Sequence, residues 1–156
     1  MADYHFVTTW VIDAPIERVY DAIDDVGAWP QWWKGVRSAE QLEPGGEDGV
    51  GRLWRYTWRS RLPYDLTFES RTTRVERPFL LEGSATGELV GTGRWRLFSG
   101  RATAVVYEWD VRTAREWMNR LAPVARPAFA WNHDFVMRQG AEGLATKLGV
   151  ELVVRD

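Results

Sequence analysis

An amide, an imidazole and a carboxylate follow one another at Asn132, His133 and Asp134, inside the apolar stretch FAWNHDFVM. Such groups could move a proton together, because imidazole titrates near neutrality and polar neighbours can orient it. Three consecutive side chains converge in a tight loop, but on a helix they fan apart by about 100° per residue. The backbone around the triplet therefore decides which chemistry is possible.

The residues from Pro127 to Gly149 predict a helix of about six turns that ends at the glycine. Thr113 is expected to cap the helical stretch before it, and Pro123 and Pro127 are expected to interrupt or kink that stretch. With Trp131 at zero on a helical wheel, the apolar and small residues cover an arc from roughly 140° to 280°. They are Ala130, Val136, Met137, Gly140, Ala141, Leu144 and Leu148.

Within this arc His133 lies near the middle, at roughly 200°, whereas Asp134 falls at one margin and Asn132 outside the other. The wheel therefore predicts that His133 faces the interior and that Asn132 does not. A histidine so placed could be an ordinary core residue bonded to a neighbour or to a buried water. Alternatively, it could contact a ligand or act as a general acid or base.

Composition excludes several classes of site. The chain has no cysteine and only two histidines, so disulfides, thiolate nucleophiles and multi-histidine metal sites are absent, and no cofactor is expected. A net charge of −2 argues against a nucleic-acid surface. No window approaches the roughly 20 apolar residues of a membrane span. We expect a cytoplasmic protein with a single domain over residues 1–156 that is a monomer or a weak homodimer.

The elements before the last helix are mostly strands. Residues 4–12 alternate as a strand, and DAPIERVYDAIDD predicts a helix capped by Asp13, with Pro15 tolerated at its start. GAWPQWWKGV predicts a second short helix or turn. From Val36 onward the period is two, which predicts an antiparallel meander. Its six strands span about 36–43, 50–60, 64–76, 79–86, 89–98 and 102–111.

Strand alternation divides this sheet into an aromatic face and a charged face. Arg55 and Arg59 alternate with the rings of RLWRYTWRS, as Arg94 and Arg96 do with Trp95. The aromatic row can be ordinary core or the lining of a cavity, where rings offer rigid apolar area with polar tips. Its members are Trp54, Tyr56, Trp58, Trp95, Tyr107 and Trp109.

Three other features have simpler interpretations. The arginines at 52, 55, 59 and 61 are those of a solvated strand face. The glycines at 87, 91 and 93 lack the spacing and the following helix of a phosphate loop. Asp24 and Asp25 end a helix without a third ligand in range, so no metal site is predicted.

The element order, together with IDAPIERVYDAIDDVGAWPQWW near the start, resembles the START/SRPBCC superfamily and its polyketide cyclase/dehydrase-like branch. This resemblance implies an α+β helix-grip (Bet v 1/START-like) fold, in which a curved seven-stranded antiparallel sheet surrounds the long C-terminal helix. Two short helices follow the first strand. Members bind lipids, sterols, polyketides or plant hormones, and a few catalyse cyclisation or dehydration of polyketide chains. No catalytic motif is shared across the superfamily.

Three functions remain open: binding of a hydrophobic small molecule, a cyclase or dehydrase reaction that uses His133, and a co-chaperone-like interaction domain with a filled core. An enclosed volume of several hundred Å³ would favour the first two. Two or more titratable groups converging on one point would favour catalysis over binding. The residues predicted to contact a ligand are Trp54, Tyr56, Trp58, Phe68, Trp95, Tyr107, Trp109, His133, Met137, Gly140 and Ala141.

Overall fold

A computed structural model describes residues 3–59, 65–114 and 116–155 of the chain. Strand β1 is followed by two helices with a 3₁₀ turn between them, six further strands, a long helix and a final strand. The elements are β1 (Asp3–Ile12), α1 (Ile16–Asp24), the 3₁₀ turn (Val26–Ala28), α2 (Trp29–Trp32), β2 (Val36–Glu43), β3 (Leu53–Trp58), β4 (Leu66–Glu76), β5 (Leu80–Gly87), β6 (Leu89–Phe98), β7 (Thr103–Thr113), α3 (Glu116–Leu148) and β8 (Leu152–Arg155).

The strands form one sheet in the order β2-β3-β4-β5-β6-β7-β1-β8, and each neighbouring pair is antiparallel. Register shifts interrupt the β1–β8, β2–β3 and β4–β5 ladders, and such irregularities bend strands. One face of the sheet shares a hydrophobic core with α3, to which the helix contributes Met137, Ala141 and Leu144. The predicted helix-grip architecture is confirmed.

The sheet has eight described strands, one more than the predicted seven. The additional strand is β8, which the sequence pattern does not predict. This strand has only four residues, too few for a periodic signal, and it is held by pairing with the edge of β1. The predicted β2 and β6 ranges match, and the described ends of the other strands lie within three residues of the predicted ones. Positions 60, 61 and 64, which the predictions also covered, lie outside the described residues.

Two of the predicted helix caps are wrong, and one predicted helix end is confirmed. Pro15, not Asp13, occupies the N-cap of α1, and its carbonyl accepts bonds from the amides of Arg18 and Val19. Thr113 belongs to β7 and donates its hydroxyl to Asn119 Oδ1. The C-terminal stop is confirmed, since Gly149 has a φ of +68° and its amide bonds to the Thr146 carbonyl.

Pro123 and Pro127 do not interrupt α3, which runs through both as one helix. Both prolines are exposed. Their rings can therefore point to solvent, and water can satisfy the carbonyl groups that lose an amide partner. The helix that carries His133 is thus longer than the stretch predicted from Pro127 onward.

The outer face of the sheet is charged, as predicted. Its arginines pair with acids on neighbouring strands: Arg55 with Glu69 at 3.3 Å, and Arg94 with Glu82 at 2.6 Å. Such pairs contribute little to stability where they are exposed. They neutralise this face and leave the inner, aromatic face to form the core.

Helix α2 packs closely on α3. The Trp33 indole donates to the Val136 carbonyl over 2.9 Å. A Cβ atom added at Gly140 would lie 2.5 Å from the Trp33 ring, and one at Gly143 would lie 1.8 Å from the Trp32 carbonyl oxygen. The two glycines therefore allow an approach that no side chain would permit, and this contact fixes one wall of the candidate site.

Within the described part of the chain, none of the helices combines the length and the apolar character that crossing a bilayer requires.

Candidate functional site

A cavity of about 110 Å³ lies between the inner face of the sheet, α2 and α3. Its wall is mainly aromatic and aliphatic, with a few polar groups among the rings. The lining residues are Tyr4, Phe6, Trp29, Trp33, Trp58, Arg59, Leu66, Phe68, Leu89, Trp95, Tyr107, Trp109, Val111, Thr113, Phe129, Asn132, His133, Val136 and Met137.

Most of the predicted ligand contacts belong to this wall, since seven of them line the cavity. They are Trp58, Phe68, Trp95, Tyr107, Trp109, His133 and Met137. Strand alternation explains why the sheet residues come together, because inward side chains of paired strands lie side by side. Trp95 and Tyr107, for example, are register partners with ring centroids 4.1 Å apart.

Trp54, Tyr56, Gly140 and Ala141 were also predicted to contact a ligand, but they do not line the cavity. Tyr56 is covered by Trp29, whose ring stacks on it at 5.7 Å. Trp54 reaches towards Gly27, where an added Cβ would lie 3.3 Å from its ring.

On the helix, the Trp33 ring lies directly against Gly140 and leaves no space for a ligand there, and Ala141 is completely buried in the core. Strand parity and helix phase therefore gave the correct face for these four residues. They did not show which part of that face is covered by other side chains.

His133 faces the interior, as its helix phase predicted. Its side chain is 13% exposed and its ring stacks on Phe6 at a centroid distance of 4.2 Å. Neither ring nitrogen has a hydrogen-bond partner among the described residues. Nδ1 lies 3.9 Å from the Asp134 carboxylate, too far for a hydrogen bond.

Burial lowers the pKa of His133 from 6.5 to about 4. The imidazole is therefore neutral at neutral pH, and the contact with the exposed Asp134 is not an ion pair under those conditions. The expectation that this histidine titrates near neutrality is wrong, because desolvation disfavours its charged form. His133 can donate or accept a hydrogen bond, but it is a weak base.

The prediction that Asn132 does not face the interior is also wrong, since this residue is buried and lines the cavity together with His133. The buried arc of α3 is wider than the predicted one, running from Asn132 on one side to Ala145 on the other. A curved sheet with α2 against its edge covers more than half of the helix circumference. The exposed position of Asp134 agrees with its place at the margin.

Trp29 and Trp33 close the cavity from the α2 side, although neither is among the predicted ligand contacts. Their rings lie 5.2 Å apart, and each also packs near Trp58 and Trp95. The spacing of four residues in WPQWW was a signal that both point the same way from a helical turn. Similarly, the alternation of Tyr4 and Phe6 in β1 could have placed them on the inner face.

Further polar groups belong to the same wall. The Tyr4 hydroxyl and the Trp58 indole nitrogen are buried and lack hydrogen-bond partners among the described residues. Burial raises the pKa of Tyr4 and that of Tyr107, so both phenols stay neutral donors. Arg59, which was predicted on the charged outer face, instead lines this cavity at an exposed position and is the charged member of the described lining. The wall thus offers hydrogen bonds from mostly neutral groups rather than a pair of opposed acids and bases.

At about 110 Å³ the cavity does not reach the several hundred Å³ that would favour ligand binding or catalysis over a filled core by volume alone. Tryptophans occupy much of the space between the sheet and the helices, which explains the small volume. An apolar cavity of roughly 150 Å³ accepts a molecule such as benzene. The wall as it stands therefore suits a compact ligand, and a polycyclic one would require side chains to move. Among the described residues no cluster of His, Asp and Glu could hold a metal ion.

Residues 12–131 match the family described as polyketide cyclase/dehydrase and lipid transport. Among curated protein sequences, none matches this chain. The fold is also found in several solved structures of low sequence identity, which report on the fold alone.

One is the Zhui aromatase/cyclase from Streptomyces sp. R1128, with 18% identity, a TM-score of 0.76 and coverage of 94% of this chain and 93% of that one. A START superfamily protein from Mycobacterium smegmatis has 15% identity and a TM-score of 0.74, with 93% and 97% covered. The di-domain aromatase/cyclase BexL has 22% identity and a TM-score of 0.73 over 92% of this chain, which spans about half (49%) of BexL. The chain belongs to the polyketide cyclase/dehydrase and lipid transport family.

Proposed function

We propose that the chain binds a compact, hydrophobic and cyclic small molecule in the cavity between the sheet and α3. The observation that carries this proposal is the set of buried polar atoms in the apolar wall: both His133 nitrogens, the Tyr4 hydroxyl and the Trp58 indole nitrogen. A buried polar atom without a partner costs about 1–3 kcal/mol, and a ligand with one or two oxygen atoms would remove part of that cost.

The neutral state of these groups defines the class of ligand. An uncharged phenol or ketone can exchange hydrogen bonds with imidazole, phenol and indole groups, whereas a carboxylate would have to lose its hydration without a buried cation to replace it. Rings on the wall also offer stacked and edge-to-face contacts to a flat molecule. We therefore expect neutral hydroxylated or keto-substituted aromatic rings to bind better than fatty acids at this site.

A size series of phenol, 2-naphthol and a hydroxyanthracene tests the proposal, with calorimetry and tryptophan emission as the readouts. Saturable binding is expected for phenol and, with some displacement of the wall side chains, for 2-naphthol, and affinity should be weakest for the tricyclic compound. Leu89→Trp places a large ring in the wall and should abolish binding. Leu121→Trp makes the same change at an exposed position of α3 and is the matched control.

His133→Phe separates hydrogen bonding from apolar contact. The variant should retain affinity for naphthalene but lose the preference for 2-naphthol, at about tenfold for one hydrogen bond. If no compound binds saturably and Leu89→Trp changes nothing but stability, the cavity is a packing void. The interaction-domain hypothesis would then be favoured.

A cyclase or dehydrase reaction is the second candidate, because the family and the aromatase/cyclase structures associate this fold with such enzymes. We propose that His133 would then act on a substrate carbonyl as a neutral hydrogen-bond partner or weak base. Cyclisation of a linear poly-β-ketone should rise with pH through about 4 and stay level near neutrality, following the lowered pKa of His133. A rate limited by a group titrating near 7 would contradict this role.

A further inference from the structure

A second concave site lies on the outer side of α2, where α2 and α3 form a groove of about 770 Å³. Trp32 and Phe135 provide apolar surface in this groove, and Lys34, Arg138 and Lys147 provide charge. The groove does not share a lining residue with the inner cavity. It is therefore a separate site, and its chemistry can be considered independently of the proposed function.

The charge of this groove is unusual for the molecule. The chain has two lysines among its 20 basic residues, and both lie here beside Arg138. None of these three cations has an ion-pair partner within the described part of the chain, although arginines on the sheet are paired with acids. Glu142 is the acidic residue of the lining. A protein with a net charge of −2 thus presents a local excess of positive charge.

Two of the cations lie beside the same stretch of α3. The neighbours of Lys34 in sequence contact the helix on either side of Arg138: a Cβ at Gly35 would lie 2.9 Å from Val136, and one at Gly140 would lie 2.5 Å from Trp33. Lys34, which follows α2, and Arg138 on α3 both line the groove, so cations from two different elements contribute to its wall.

Apolar surface continues from this point along α3. Phe135 lines the groove and stacks on Trp131, whose ring centroid is 6.2 Å away and which is 51% exposed. Trp32, 8% exposed, forms part of the lining, and its indole nitrogen is buried without an acceptor among the described residues. The cations without described ion-pair partners and the partly exposed rings of Phe135 and Trp131 favour a ligand with an anionic head and an apolar body.

We propose that this groove binds a free anionic amphiphile, with its carboxylate or phosphate head between Lys34 and Arg138 and its apolar chain over Phe135 and Trp131. A volume of about 770 Å³ lies within the range of small-molecule sites, roughly 300–1,000 Å³. A concave surface fits a single molecule better than it fits the plane of a bilayer. The groove therefore selects a charged ligand, in contrast to the neutral ligand proposed for the cavity.

The test uses dodecanoate below its micelle concentration, titrated into the full chain by calorimetry. Saturable binding is expected, with dodecanol, which has the same chain without the charge, at least about tenfold weaker. The double variant Lys34→Glu/Arg138→Glu should lose about tenfold or more in affinity. Arg101→Glu, at an exposed turn outside the groove, should bind like the parent chain.

Two further arms separate the groove from other binding modes. Leu89→Trp obstructs the inner cavity, so dodecanoate binding that survives in this variant supports the groove, and binding that is lost assigns the fatty acid to the cavity and overturns the proposal. Vesicles of phosphatidylcholine with about 30% phosphatidylglycerol test the membrane alternative. Cosedimentation with these vesicles that the double charge reversal abolishes, without binding of free dodecanoate, would also overturn the proposal.

Discussion

The inner cavity and the outer groove lie on opposite sides of helix α2, and adjacent tryptophans contribute to each. Trp33 lines the cavity and Trp32 lines the groove. The cavity is small, apolar and nearly free of charge, whereas the groove is larger, open and cationic. One turn of helix thus separates two environments that would select opposite classes of ligand.

The difference follows from the layers on either side of α2. Towards the sheet, rings from five strands meet the helices and exclude water, so a titratable group there must stay neutral, as His133 does. Towards solvent, lysine and arginine side chains keep their hydration and their charge. Position relative to one short helix therefore sets the chemistry of each site.

The largest expected effect contrasts two tryptophans that differ in burial. Trp33→Ala should lower the free energy of unfolding by about 3–5 kcal/mol, since Trp33 is 1% exposed and anchors α2 to α3 through its bond to Val136. Trp131→Ala should change it by less than about 0.5 kcal/mol, because that ring is half exposed. Urea denaturation of both variants measures the difference. Equal losses would show that Trp131 is buried by a partner in solution.

The second prediction concerns the pH dependence that only the cavity should confer. The pKa of His133 falls from 6.5 to about 4 on folding, so the unfolded chain binds more protons between those values. The contribution of His133 to the free energy of unfolding is therefore fully present above about pH 6.5. It decreases by up to about 3 kcal/mol as the pH falls towards 4. His133→Phe should remove this component in denaturation curves at several pH values. An unchanged slope in the variant would mean that His133 is not desolvated.

Local rules predicted the elements better than the site. Strand alternation depends only on the chain itself, so it correctly placed Trp58, Trp95 and Trp109 on the inner face. It could not show that Trp29 covers Tyr56, because that contact joins residues far apart in sequence. Helix phase found His133 but missed Asn132, since the width of the buried arc depends on how far the sheet curves around the helix.

The groove was beyond sequence reasoning for the same reason. Lys34 and Arg138 are about a hundred residues apart, and neither belongs to a motif. Glycines at 140 and 143 are unfavourable inside a helix by propensity alone, whereas the structure shows that they admit Trp33 and the Trp32 carbonyl. A residue that is unfavourable for its own element can be required by a neighbouring one.

The third prediction uses these two glycines to perturb one site at a time. Alanine normally stabilises a helix interior by about 1 kcal/mol relative to glycine. Here Gly143→Ala should destabilise by about 2 kcal/mol and weaken dodecanoate binding, because its Cβ meets the Trp32 backbone oxygen.

Gly140→Ala should instead displace the Trp33 ring and weaken 2-naphthol binding. Gln139→Ala is the control for the groove, because Gln139 is also a lining residue on α3 and its replacement does not push against α2. Stabilisation by either glycine replacement would contradict the close packing of α2 on α3.

The smallest expected effect is on the salt dependence of binding, and it distinguishes the two sites without any mutation. Screening weakens contacts between an anionic head and exposed cations, so dodecanoate affinity should fall by about tenfold between roughly 50 mM and 500 mM NaCl. Affinity for 2-naphthol should stay constant or rise slightly, because salt strengthens the burial of apolar surface and no buried charge is involved. Calorimetric titrations at both salt concentrations give the comparison. Parallel salt dependence of the two ligands would show that they share one site, and that the neutral cavity and the cationic groove do not act as separate binding sites.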